Sequence, residues 1–176
     1  MEFIDFVKEF IRGGGYCMNW LEQRKYELAP LFKSRLNYLL SGKTFVLMTD
    51  DKRSWFEDYF LKNINSNQSR PLLPFVSMKS LGVDYKNLNS DVDSLNDLLD
   101  IVFPNGYIYF YIGSNGGKMA NIAKSKDDSF IWLFDEQLSN SLYLSSNDKE
   151  VDIKLLTLFM LFDACVDAVV FSRVKF

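Results

Sequence analysis

Three places along the chain bring together residue types that could do chemistry. Ser41-Gly42-Lys43-Thr44 carries the lysine and hydroxyl of a nucleotide-phosphate loop. The leading glycine of such a loop would fall at position 37, which is Asn37. The segment also runs into an apolar, strand-like stretch instead of opening a helix, so no nest of free amides forms, and the phosphate reading fails. Gly113-Ser114-Asn115-Gly116-Gly117-Lys118 is better placed, after a strand-like run and ahead of a helical one. Free backbone amides and the helix dipole favour an anion at such a junction. Met119 nevertheless stands where a hydroxyl would hold magnesium. The segment therefore reads either as a tight glycine turn or as a vestigial or real anion loop at a strand's carboxyl end, where open α/β sheets bind ligands. Asp50-Asp51 ends another strand-like run. Paired carboxylates there could hold magnesium or act as acid and base, but helix capping explains them with less.

What is missing narrows the chemistry further. The chain has no histidine, which removes a histidine general base, a His–Cys or His–Ser nucleophile pair and His-ligated zinc. Its two cysteines, Cys17 and Cys165, form no metal spacing and read as buried thiols in a reducing compartment. A net charge of −3 offers no basic field for a phosphate backbone, so direct nucleic-acid binding is not expected. The acidic, amphipathic start does not resemble a secretory leader. The apolar stretch from Leu155 to Phe171 is interrupted by Asp163 and Asp167, so no membrane span is expected and the cytoplasm is the expected location. No cofactor is implied.

The elements that must position these residues follow from periodicity. Phe3, Phe6, Val7, Phe10 and Ile11 predict a short amphipathic helix ended by Gly13-Gly14-Gly15. A longer helix is predicted from Cys17 to Leu40, kinked or restarted at Pro30 and closed by Ser41-Gly42. Strands are predicted over 44–48, 72–76 (pushed to a sheet edge by its prolines), 107–112, 130–134 and 142–144. Helices are predicted around Trp55–Ile64, Leu95–Val102, Met119–Ala123 and Val151–Arg173, and Ser80–Asp91 reads as a polar loop. Strand runs that are apolar throughout, each followed by a helix, signal a parallel sheet covered on both faces. With 176 residues, this suits one α/β domain spanning 1–176 with two extra N-terminal helices.

Surface candidates remain. Asp163 and Asp167 lie one helical turn apart on the most apolar helix. They read either as a narrow solvated stripe or as partners of an arginine across an oligomer interface. Phe171, Arg173 and Phe176 leave aromatic and basic groups at a chain end, as binding anchors do. Trp20 and Arg24 offer a similar pair on the second helix, which precedes the α/β unit and could be shared between subunits. Sixteen phenylalanines imply either a Phe-heavy core or apolar surface awaiting a partner.

Several ordered segments carry a resemblance spanning nearly the whole chain. They are Trp20-Leu21-Glu22 with Leu28-Ala29-Pro30-Leu31, Phe45-Val46-Leu47-Met48-Thr49-Asp50 with Trp55-Phe56, Arg70-Pro71-Leu72-Leu73-Pro74, and Leu161-Phe162-Asp163-Ala164-Cys165-Val166-Asp167-Ala168. Together they resemble the HobA family of replication-initiation regulators. The resemblance implies a fold similar to sugar isomerase (SIS) domains, a three-layer, flavodoxin/Rossmann-like arrangement with five parallel strands between helices. It implies a homotetramer that binds the N-terminal domain of the initiator DnaA and helps initiators assemble at the origin, as a structural counterpart of DiaA. Sugar-phosphate enzymes are not known in that family. The residues agree: Thr49-Asp50-Asp51 would repel a phosphate where sugar-binding relatives carry hydroxyl-rich loops, and Gly113–Gly117 holds a single hydroxyl.

The expectation is thus a non-enzymatic adaptor, using Trp20, Arg24, Phe171, Arg173 and Phe176 toward its partner. The competing expectation is a sugar-phosphate- or nucleotide-binding SIS-type enzyme or sensor working in the crevice near Asp50 and Gly113.

Overall fold

The structure, a computed structural model, describes residues 1–82 and 92–176. Five strands form one parallel sheet: β1 (Thr44–Thr49), β2 (Phe75–Ser77), β3 (Tyr107–Ser114), β4 (Phe130–Phe134) and β5 (Ser141–Leu144). Their order is β2-β1-β3-β4-β5. The helices are α1 (Phe3–Gly13), α2 (Asn19–Glu22), α3 (Lys25–Leu40), α4 (Ser54–Ile64), α5 (Val92–Val102), α6 (Lys118–Lys124) and α7 (Val151–Val170). The predicted parallel sheet with helices on both faces is borne out. So is the edge position of the proline-flanked strand, although that strand is only Phe75–Ser77.

Alternation along the strands divides the core in two. Phe45 and Leu47, Phe110 and Ile112, and Phe130, Trp132 and Phe134 face α1, α3, α4 and α7. Val46, Met48, Tyr107, Tyr109, Tyr111, Ile131 and Leu133 face α5 and α6. Most of the sixteen phenylalanines are core residues. Phe110 stacks on Phe130 at 4.5 Å, and Phe60 meets Phe159 and Phe110 edge-on at 5.1 and 5.3 Å. On the opposite face Tyr107 and Tyr109 donate to Asn96 Oδ1 at 3.0 and 2.7 Å. Burial pushes the Tyr107 hydroxyl up to about 12 and raises those of Tyr109 and Tyr111, so all three stay protonated donors.

Four expectations need correction. The helix expected from Cys17 to Leu40 is a 3₁₀ turn (Tyr16–Met18), α2 and α3, and its break falls at Gln23–Arg24. Pro30 lies inside α3. The carbonyl it leaves without a donor belongs to Tyr26, a residue on the exposed side of the helix. Cys17 is exposed, while Cys165 is buried and its thiol is pushed up by burial. α7 stops at Val170, not Arg173. Ser172 there takes a left-handed conformation (φ 54°), with Ser172 N–H bonding Val169 O at 3.0 Å and Arg173 N–H bonding Ala168 O at 2.8 Å. That is a Schellman closure built on serine where glycine is usual. Finally, Ser80 and Leu81 belong to a 3₁₀ turn, and the rest of the expected polar loop lies largely outside the described residues.

Candidate functional site

Strand order reverses between β1 and β3, and a crevice opens there beyond their carboxyl ends, as it does in doubly wound sheets. The cavity holds about 360 Å³ and is lined by Thr49, Asp50, Asp51, Tyr111, Gly116, Gly117, Lys118 and Met119. Gly113 and Ser114 are the last residues of β3, so only Asn115–Gly117 is loop, and the helix that follows is a short one.

Asp50 occupies the centre of this arrangement. Its Oδ1 accepts from Arg53 N–H at 3.1 Å, capping the 3₁₀ turn (Asp51–Arg53) that leads into α4. The capping reading of the acidic pair is therefore borne out at Asp50. Its Oδ2 accepts from Ser114 N–H at 2.8 Å, Ser114 Oγ at 3.2 Å and Arg53 Nη1 at 2.7 Å. Arg53 is buried, its guanidinium 3.7 Å from the centroid of the Phe134 ring. A strand-end amide, a hydroxyl and a guanidinium thus converge on one point, as they would on a phosphate oxygen, and a side chain of the protein fills that point. Gly113 makes this possible: a Cβ there would lie 2.4 Å from the Tyr111 hydroxyl and 3.0 Å from Asp50 Cγ.

The neighbouring hydroxyls are also engaged. Glu57, 1% exposed, accepts from Thr49 Oγ1 at 2.8 Å and from Ser77 Oγ, and pairs with Lys79 at 3.0 Å. Asn115 donates to Glu136 and accepts from Lys124 at 2.7 Å. Among the described residues no cluster of three or more acidic or cysteine side chains could hold a metal ion.

The expected partner-facing residues do not form one patch. Trp20 lies beside the first half of α7 and Arg24 beside β5. Trp20 Nε1 donates to Thr157 Oγ1 at 3.0 Å, while Arg24 bonds both Glu27 oxygens at 2.9 Å and reaches the Tyr143 carbonyl at 2.6 Å. Trp20→Phe keeps an aromatic ring but loses that donor and part of the indole's packing, so a stability loss of at least about 1 kcal/mol is expected in urea unfolding. Phe171, Arg173 and Phe176 lie at the other end of α7, about 20 Å away along its axis. That tail is anchored: Val174 is buried, Lys175 N–H bonds Met1 O at 2.8 Å, and Phe176 meets Phe3 edge-on at 5.7 Å. Phe171 and Phe176 are each 39% exposed, and Phe176 borders a groove that includes Leu40, Leu72 and Val170.

Asp163 and Asp167 are neither a plain solvated stripe nor left for another subunit. Arg70 of the same chain holds both, donating to Asp167 at 2.6 Å and to Asp163. It also donates to the carbonyls of Ile64 and Asp163. Three residues that organise these sites, Arg53, Glu57 and Arg70, were not expected from sequence. Only Arg53 carries a local signal, standing three residues after Asp50 on a helical turn.

Fold and site together define a flavodoxin-order parallel α/β domain whose switch-point crevice is occupied by its own carboxylate. The whole chain, residues 1–176, matches the family described as HobA: DNA replication regulator. It is 31% identical to the DNA replication regulator protein HobA of Helicobacter pylori over 180 aligned positions, covering 98% of this chain and 97% of that protein. A solved complex of HobA with DnaA (domain I–II) from Helicobacter pylori matches with a TM-score of 0.76 and 28% identity, covering 100% of this chain and 99% of that one. HobA from Helicobacter pylori, also solved, matches with a TM-score of 0.71 and 27% identity, over 100% and 99% of the two chains. The protein belongs to the HobA family of DNA replication regulators.

Proposed function

We propose that this regulator is a non-enzymatic adaptor for the N-terminal part of the initiator DnaA. The observation that carries the proposal is the end-to-end likeness to a HobA chain solved with DnaA domain I–II. The crevice supports it, because the strand-end amide of Ser114 and the buried guanidinium of Arg53 are already bound to Asp50. A sugar-phosphate or nucleotide reading of that crevice would need those donors for a ligand. The adaptor acts in the cytoplasm as a homotetramer, presenting several identical patches so that captured initiators share a high local concentration without any new DNA contact.

The partner surface we assign is the tail: Phe171, Arg173 and Phe176, with the neighbouring Leu72, which is 83% exposed. Aromatic and arginine side chains on an apolar surface are favoured at interfaces. Trp20 and Arg24, whose polar atoms are spent within the chain, serve instead to fix α2 and α3 against α7 and β5. Calorimetric titration with the N-terminal domains of DnaA from the same organism should show saturable binding. Arg173→Ala with Phe176→Ala should weaken it roughly tenfold or more, while light scattering reports an unchanged tetramer. No binding by the wild-type chain would end the adaptor reading; unchanged binding by the double variant would move the surface elsewhere.

A further inference from the structure

Arg35, Arg53 and Arg70 are all buried, between 6 and 7% exposed. Arg53 has Asp50 and Arg70 has Asp163 and Asp167. Arg35 has no carboxylate within ion-pair distance among the described residues. Its Nη1 donates to Ser34 Oγ and its Nη2 to the Ser129 carbonyl, both at 2.9 Å, and its Nε finds no protein acceptor. Its remaining neighbour is the Tyr38 ring, 6.0 Å away. Asp128 also acts on it electrostatically; its Oδ2 is tied to Lys43 at 2.9 Å, and its buried Oδ1 has no hydrogen-bond partner among the described residues. A buried guanidinium whose direct partners are all neutral is costly, and the other two buried arginines show how this fold otherwise meets that cost.

Arg35 also lines a cavity of about 450 Å³ between α3 and the β4–β5 connection. That volume lies in the usual range for small ligands. Polar groups from Ser34, Gln137, Ser139 and Asn140 surround it, and Leu31 and Leu138 supply apolar wall. Glu27 stands at the rim, but Arg24 already neutralises it through both carboxylate oxygens. Arginine stays ionised even when burial weakens its hold on the proton, so Arg35 carries a positive charge at the cavity wall.

We propose that this cavity is a binding site for a small organic oxyanion, a carboxylate or a phosphate monoester, with Arg35 as its counter-charge. The site lies away from the crevice at β1 and β3 and from the tail, and it stands whether or not the DnaA reading does. The test is calorimetry on the full chain with inorganic phosphate and, separately, with citrate, at ionic strength held constant with sodium chloride. Saturable binding of at least one is expected; phosphate alone points to a phosphate monoester, and citrate alone to a carboxylate. Arg35→Gln should weaken binding roughly tenfold or more, as loss of a charge-assisted pair does. Ser139→Phe, at an exposed rim position, narrows the mouth without touching Arg35, and should cause a comparable loss in a protein with unchanged circular dichroism. Absence of binding by the wild-type chain, or unchanged affinity in Ser139→Phe, overturns the proposal.

Discussion

Arg70→Met is expected to lower the unfolding free energy by about 3–5 kcal/mol, read as a fall of roughly 10 °C in Tm for a chain of this size. The Arg70 side chain is 1% exposed and serves two carboxylates and two backbone carbonyls at once. Methionine would pack in its place but leave Asp163 and Asp167 facing each other. The size of the effect comes from the acceptors left behind, Asp163 above all because Asn67 also donates to Asp167 at 3.2 Å, more than from the worth of the ion pairs themselves. The loss should also depend on pH. Burial raises the Asp163 carboxyl above its ordinary 3.8, with a smaller push from Asp167, while Arg70 pulls it down. A carboxyl raised in the folded state favours folding when protonated, so its contribution is full below the unfolded value and is lost as pH rises through the folded one. Without Arg70 the folded value climbs further, and the variant's deficit should shrink on acidification toward 3.8. Urea unfolding of both proteins at neutral pH and just above 3.8 checks this. A deficit that is small at both, or that grows on acidification, would contradict it.

That network also shows where reading the sequence stops. The three central strands, β1, β3 and β4, were legible because each is apolar nearly throughout, as a strand covered on both faces must be. Asp50 was legible as a cap because capping is local, three residues from donor to acceptor. Its second role, closing on Ser114 across the β1–β3 crevice, depends on strand order, which no local pattern encodes. Arg70 meets Asp163 from 93 positions away. The two aspartates were visible as an anomaly on an apolar helix, but their partner was not. Pro30 misled because a helix-interior proline is tolerated or not according to its surroundings, and those are a tertiary fact. Residue type alone does not distinguish an aromatic such as Trp20, bonded to Thr157, from Phe176 at the surface.

Asp50→Ala should do two things that a merely structural cap would not do together. The first is a stability loss of about 3 kcal/mol, since Arg53 and the Ser114 amide lose their shared acceptor while both stay largely out of water. The second is gain of an anion site. With the carboxylate gone, the Ser114 N–H, its hydroxyl and the Arg53 guanidinium face a cavity of about 360 Å³ that already runs to the crevice mouth. Inorganic phosphate should then restore part of the lost stability, by about 1.4 kcal/mol when its concentration is ten times the dissociation constant. The quantity that matters is the increment over whatever phosphate does to the wild-type protein, because any effect through Arg35 is common to both. Sodium chloride at the same ionic strength should not reproduce it, since general screening does not place an oxyanion against an amide and a guanidinium. Asp50→Asn is the useful contrast. An amide oxygen can still accept from Ser114 but carries no charge for Arg53, so it should lose less stability and gain less from phosphate. If Asp50→Ala is destabilised and phosphate gives it no increment, the carboxylate is a cap and a strut, and the idea that it stands in for a ligand's oxyanion is wrong.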